Sequence, residues 1–98
     1  MNILENIEFA TDKANVVHLK KSENLKYFAV GLGNGAVLKK HTTAVPATVV
    51  VLKGEINIVF PDREYILREF DVFEIPVDEV HEVHGVLASN LFTVAQSL

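Results

Sequence analysis

The chain has 98 residues, 49% of them hydrophobic and 22% charged, with a net charge of −4 and no cysteine. So short a chain forms one domain spanning 1–98, because two separate cores would each be too small to be stable. The composition is that of a globular protein. The acidic balance lacks the basic stripe that nucleic-acid binding needs, and the missing cysteines exclude disulfides and thiolate metal sites.

Glu5, Glu8, Asp12 and Lys13 interrupt the N-terminal stretch, which holds no apolar core of signal-peptide length. The apolar run Val49–Leu52 is far short of the ~20 residues a membrane helix needs. The expectation is a soluble, cytoplasmic protein with neither a membrane nor a nucleic acid as partner. Residues 1–15 read as an N-terminal extension, within which Ile3 to Ala10 fits a helical turn or a strand equally.

Turn signals then recur at short intervals: Ala14-Asn15, Ser22-Glu23-Asn24, Gly33-Asn34-Gly35, Val45-Pro46, Lys53-Gly54, Pro61-Asp62 and Pro76 to Glu79. Runs rich in β-branched and aromatic residues lie between them, the pattern of a sandwich or barrel. Strands are predicted near 16–20, 25–31, 36–42, 47–52, 55–60, 63–68, 72–75, 80–84 and 87–95. Asn34-Gly35 is a hairpin signal because both residues tolerate positive φ. Pro61-Asp62 starts another tight turn by fixing φ and offering a side-chain acceptor. The alternating Gly31, Gly33 and Gly35 do not form a dinucleotide-binding motif and read as a flexible hairpin.

Two strands speak to burial. Ile56, Ile58 and Phe60 share a face with Asn57 opposite, the alternation of a half-buried strand. Thr48 to Leu52 is apolar on both faces, so both faces should be covered. A second copy of the chain is the simplest cover for the outer face, giving an expected homodimer. The alternative cover is the N-terminal segment.

The spacing from Gly35 to Gly54 reads G-x5-H-x-T-x3-A-x6-G, and that from Phe70 to Gly85 reads F-x5-P-x-D-x2-H-x3-G. These stretches resemble the two motifs of the cupins, motif one at 35–54 and motif two at 70–85. Gly35, His41, Gly54, Pro76 and His81 match. Thr43 stands where the family has a second histidine and Ala47 where it has a glutamate. Phe70, Asp78 and Gly85 stand where motif two has Gly, Gly and Asn. The resemblance covers about half the chain and implies an all-β, cupin-type jelly-roll barrel, a double-stranded β-helix.

It also implies a pocket. In cupins, two histidines and a glutamate of motif one join the motif-two histidine around a divalent metal (Fe, Mn, Ni or Zn), an imidazole and carboxylate set that leaves positions open for substrate. Only His41 and His81 remain here. Thr43 is a poor ligand and Ala47 none. His84 is the candidate third metal ligand, with Glu74 and Glu82 next in sequence. Strand parity places Glu82 and His84 on the face opposite His81 unless the turn at Gly85 breaks it.

The leading expectation is a small-molecule-binding barrel without a complete metal set. His41, His81 and Thr43 would be its polar groups, and Val49, Val51, Ile56 and Ile58 its walls. A metal-dependent oxygenase or isomerase using His41 and His81 is the alternative, and a dimeric interaction domain without a ligand is the third. Both histidines also suit a bland role, neutral rings bonded to backbone carbonyls. His18 reads as an ordinary strand residue. Ser22, Ser89 and Ser97 lack a nucleophile's context. Asp78 and Glu79 read as solvated carboxylates at a turn, and Tyr27 and Tyr65 as strand aromatics.

Overall fold

The computed structural model describes all 98 residues, Met1–Leu98. Nine strands follow in order: β1 (Asn15–Lys21), β2 (Leu25–Gly33), β3 (Val37–His41), β4 (Ala47–Lys53), β5 (Glu55–Val59), β6 (Glu64–Arg68), β7 (Val72–Ile75), β8 (His81–Gly85) and β9 (Ser89–Ser97). They form two antiparallel sheets, ordered β1-β2-β9-β4-β7 and β3-β8-β5-β6. No helix is long and apolar enough to cross a membrane.

Every predicted strand is present within a few residues of its expected place. Pro61-Asp62 turns the β5–β6 hairpin, closed by the Phe60 N–H donating to Arg63 O at 2.8 Å. The Asn34-Gly35 turn differs from expectation. Gly35 takes a positive φ of 77°, but β2 and β3 lie in different sheets, so the turn carries the chain across the barrel instead of forming a hairpin. Nor are Gly31 and Gly33 a flexible hairpin. They sit within β2, where an added Cβ would strike backbone of the N-terminal segment at Glu8, Phe9 and Ala10.

The inward side chains meet in one core of Val30, Leu32, Val49, Val51, Ile56, Ile58, Phe60, Val83, Phe92 and their neighbours. Residues 3–6 form a turn, and Ile7 then packs with Ala29 and Leu91 on the outer face of the five-stranded sheet. The N-terminal segment therefore covers β2 and β9, while Leu52 and Val72 on the outer face of β4 and β7 stay exposed.

Two other positive-φ residues fall where the cupin pattern has glycine: Phe70 at 70° and Asp78 at 61°. Asp tolerates this left-handed region better than most residues, whereas a bulky Phe is strained there. Phe70 is also 77% exposed, so little packing opposes its removal. Phe70→Gly should stabilise the fold by up to about 1 kcal/mol, while Phe70→Ala should not. Denaturant unfolding of the two variants beside the unaltered chain checks this. Equal midpoints for Gly and Ala would refute the strain.

Candidate functional site

β3 and β8 pair in register at Val37↔His84 and Leu38↔Val83, then slip so that His41 faces His81. The slip inserts one extra residue in β3 at Lys39-Lys40. Such a bulge re-aims the side chains beyond it. His41 thereby joins Leu38 on the inward face, although strict alternation would put them on opposite sides. The two rings lie 4.4 Å apart, centroid to centroid.

Each ring is fixed by a backbone carbonyl two residues before it. Nδ1 of His41 donates to Lys39 O at 2.7 Å, and Nδ1 of His81 donates to Glu79 O at 2.9 Å. A carbonyl only accepts, so in its neutral form each ring carries its proton on Nδ1 and leaves a lone pair on Nε2. His81 is 1% exposed, and its Nε2 is buried without a hydrogen-bond partner. Burial is the main cause holding the His81 pKa below the ordinary histidine value. The Glu79 carbonyl opposes that shift and the nearby His41 adds to it.

The Glu79 backbone is itself anchored. Its carboxylate accepts two bonds of 3.0 Å from the Arg63 guanidinium, which also donates to Asp62 and stacks 4.2 Å above the Phe60 ring. The pair with Asp62, then Glu79 and Tyr65, raises the Arg63 pKa further above its ordinary range. Phe60 in turn lies 5.7 Å from His81. Glu79 is thus a structural partner rather than a freely solvated turn carboxylate. Asp78 stays exposed.

Thr43 is buried. Its hydroxyl donates to Val45 O at 2.9 Å and accepts from the Gln96 amide at 3.2 Å. His41, Thr43, His81 and Gln96 are the polar lining of a cleft of about 30 Å³ whose walls include Phe28, Leu38, Ala47, Ile75, Val83, Phe92 and Val94. Phe28, Leu38 and His41 continue into an outer groove of about 470 Å³ beside Lys13 and Lys39. His81 also borders a rim depression of about 260 Å³ with Lys40, Phe60 and Glu82.

Six expected site residues lie elsewhere in the architecture. Val49, Val51, Ile56 and Ile58 are fully buried in the packed core and line none of these depressions. Alternation identified their inward face, but not their position along the barrel axis. His84 follows strand parity. It faces away from His81, and its Nε2 pairs with Glu82 at 2.9 Å. Glu74 accepts from the Thr48 hydroxyl on the outer side of β4–β7. Gln96 and Phe28 were not anticipated. Gln96 shares β9's inward face with Phe92 and Val94, a parity signal visible in the sequence.

No family model matches the chain, and no curated protein matches it by sequence. Solved structures do match. A cupin superfamily protein from Desulfitobacterium hafniense is 18% identical, with a TM-score of 0.84 over 94% of this chain and 84% of that one. KdgF from a Halomonas species is 16% identical, with a TM-score of 0.80 over 99% and 91%. A conserved Klebsiella pneumoniae protein with a double-stranded β-helix domain reaches a TM-score of 0.87 at 12% identity over 99% and 87%. The fold is the double-stranded β-helix of the cupins.

The donor set does not fit the metal that this fold implies. No three His, Cys, Asp or Glu side chains come together. His41 and His81 present two lone pairs, whereas tightly held first-row ions take three or four protein ligands.

A buried, neutral His81 has a pH signature. The unfolded chain takes up its proton at about pH 6.5, while the folded chain resists. The stability due to the neutral ring is therefore complete above that pH. It declines as pH falls below it, by at most about 1.4 kcal/mol per pH unit. Thermal or urea unfolding between pH 7.5 and 5.5 should show a shallower decline for His81→Phe than for the unaltered chain. Matching slopes would contradict a buried neutral ring.

Proposed function

We propose that this chain is a small-molecule-binding barrel that grips its ligand at the mouth, with His41 and His81 as polar anchors. The observation that carries this reading is the unpartnered Nε2 of His81, sealed among apolar walls beside a second imidazole. Buried polar atoms are ordinarily satisfied, and an exception calls for a partner. A ligand occupies the mouth and outer groove, because side chains fill the barrel interior. The absence of cysteine and of a long apolar segment supports a place in the cytoplasm.

Elemental mass spectrometry of untagged protein, beside His41→Ala and His81→Ala, tests this against metal-dependent chemistry. The expected outcome is less than stoichiometric metal even after incubation with iron, manganese, nickel and zinc. A thermal-shift screen should then yield ligands whose effect disappears in His81→Ala. Stoichiometric metal lost in both variants would displace the reading in favour of an oxygenase or isomerase.

The chain also pairs with itself, in this proposal, through the outer face of β4 and β7. Val50 and Val72 are register partners there, Leu52 lies beside them, and Val72 is 64% exposed on a sheet edge. An open apolar edge strand is prone to association. Light scattering should give twice the 10.9 kDa chain mass. Val72→Glu should give the single mass without loss of fold. A monomer at all concentrations would remove the pairing and leave the binding site untouched.

A further inference from the structure

We propose that the His41–His81 cleft selects neutral, largely apolar molecules that carry a hydroxyl group, over carboxylates and ammonium ions. This rests on the binding role above and names the ligand chemistry of the same site.

The selection follows from the direction of the two imidazoles. Both Nδ1 protons are engaged by backbone carbonyls, so what each ring offers a ligand is an acceptor. The acceptor on His81 is buried and unfilled in the fold itself. A ligand that donates a hydrogen bond there removes the penalty of a buried unsatisfied group that the protein otherwise carries. The second ring, 4.4 Å away, offers a second lone pair to the same neighbourhood.

The cleft's lining then decides among donors. It includes no Asp, Glu, Lys or Arg. An ammonium group would donate well but would leave water with no counter-charge, which is costly in an apolar wall. A carboxylate would set its own lone pairs against those of the rings. Lys13 and Lys39 border the outer groove only, so a carboxylate held by them leaves His81 unfilled. A hydroxyl donates and accepts at once. Its proton satisfies a ring nitrogen, and its oxygen suits the second amide hydrogen of Gln96, whose one side-chain bond goes to Thr43.

Size points the same way. About 30 Å³ admits a hydroxyl-sized group and no ring. The outer groove, about 470 Å³ with Phe28, Leu38, Val37 and Ala14 among its lining, takes the apolar body. That volume is within the range of about 300–1,000 Å³ usual for small-molecule sites. Phe28, Leu38 and His41 border both spaces, so one molecule can span them.

The test uses the full chain, labelled with ¹⁵N. Long-range ¹H–¹⁵N correlation spectra at a pH of about 7.5 read the tautomer of each ring. Titrations follow with benzyl alcohol, toluene, benzoate and benzylammonium. Both rings should show an unprotonated Nε2, and benzyl alcohol should shift the His81 Nε2 signal and saturate. The other three should bind at least about tenfold more weakly, the difference made by one satisfied buried hydrogen bond. His81→Phe should reduce benzyl alcohol to the level of toluene. An Nε2 proton on either ring would overturn the hydroxyl preference while leaving the binding role in place, and this is read on the unaltered protein. Benzoate or benzylammonium binding as tightly as the alcohol at His81 would do the same. Absence of any shift at either ring with all four probes would remove the binding role and this inference together.

Discussion

The side chain of Asn90 joins the two sheets at one end of the barrel, and the cleft of His41 and His81 lies at the other. Its oxygen accepts from the Glu55 N–H at 2.9 Å and the Leu87 N–H at 3.1 Å. Its amide donates to Leu32 O at 2.9 Å and Leu87 O at 2.8 Å. Asn90 is fully buried, and these four bonds use all four of its polar sites. They tie β2 and β9 of one sheet to the start of β5 in the other. The neighbouring backbone has no room to spare: a Cβ on Gly54 would strike Ser89 and Asn90, and one on Gly85 would strike Gly33. The two glycines and the asparagine are one mutually dependent closure.

From that closure the inward face of β9 runs through Phe92 and Val94 to Gln96. The same strand thus begins in a satisfied polar knot, crosses the apolar core and ends in the lining of the cleft. β8 follows the same axis in reverse, from His81 at the mouth to Gly85 at the closure. Buried polar groups at the two ends therefore have opposite meanings. Asn90 has every partner it can take, whereas His81 has one nitrogen bonded and one bare. A fully satisfied group rigidifies a core, and a half-satisfied one is an exception, which the proposed ligand would fill at His81.

Strand positions were legible because turn residues and β-branched runs act locally, and the nine strands formed where those signals lay. The histidine pair was legible through the motif spacing. Other features depend on tertiary context that no local pattern encodes. Asn34-Gly35 has the chemistry of a hairpin turn, yet the partner of β3 is β8, from the far end of the chain. The depth of a residue along the barrel axis has no sequence period. Val49 and Ile58 accordingly look like pocket walls, and both lie in the packed interior. The β3 bulge that brings His41 inward is also silent in sequence, since Lys39-Lys40 reads as a plain solvated strand end. His84, the expected third ligand, instead obeys the strand parity that argued against it, which held through β8 despite the turn at Gly85.

The two departures from the cupin motif at Thr43 and Ala47 act together on the physics of the mouth. A carboxylate and an imidazole at these positions would have supplied charge and metal donors. Thr43 instead closes a neutral circuit, donating to Val45 and accepting from Gln96. Ala47 contributes only apolar wall. The cleft has no carboxylate in its lining, and burial outweighs the charge of Glu79, which favours protonation, to hold the His81 pKa down. Neutrality in turn preserves the Nε2 lone pair that faces no partner. The changes that take away a metal's third and fourth ligands are therefore the ones that leave two imidazole rings with no carboxylate beside them in the cleft, the arrangement on which the proposed preference for a neutral donor rests.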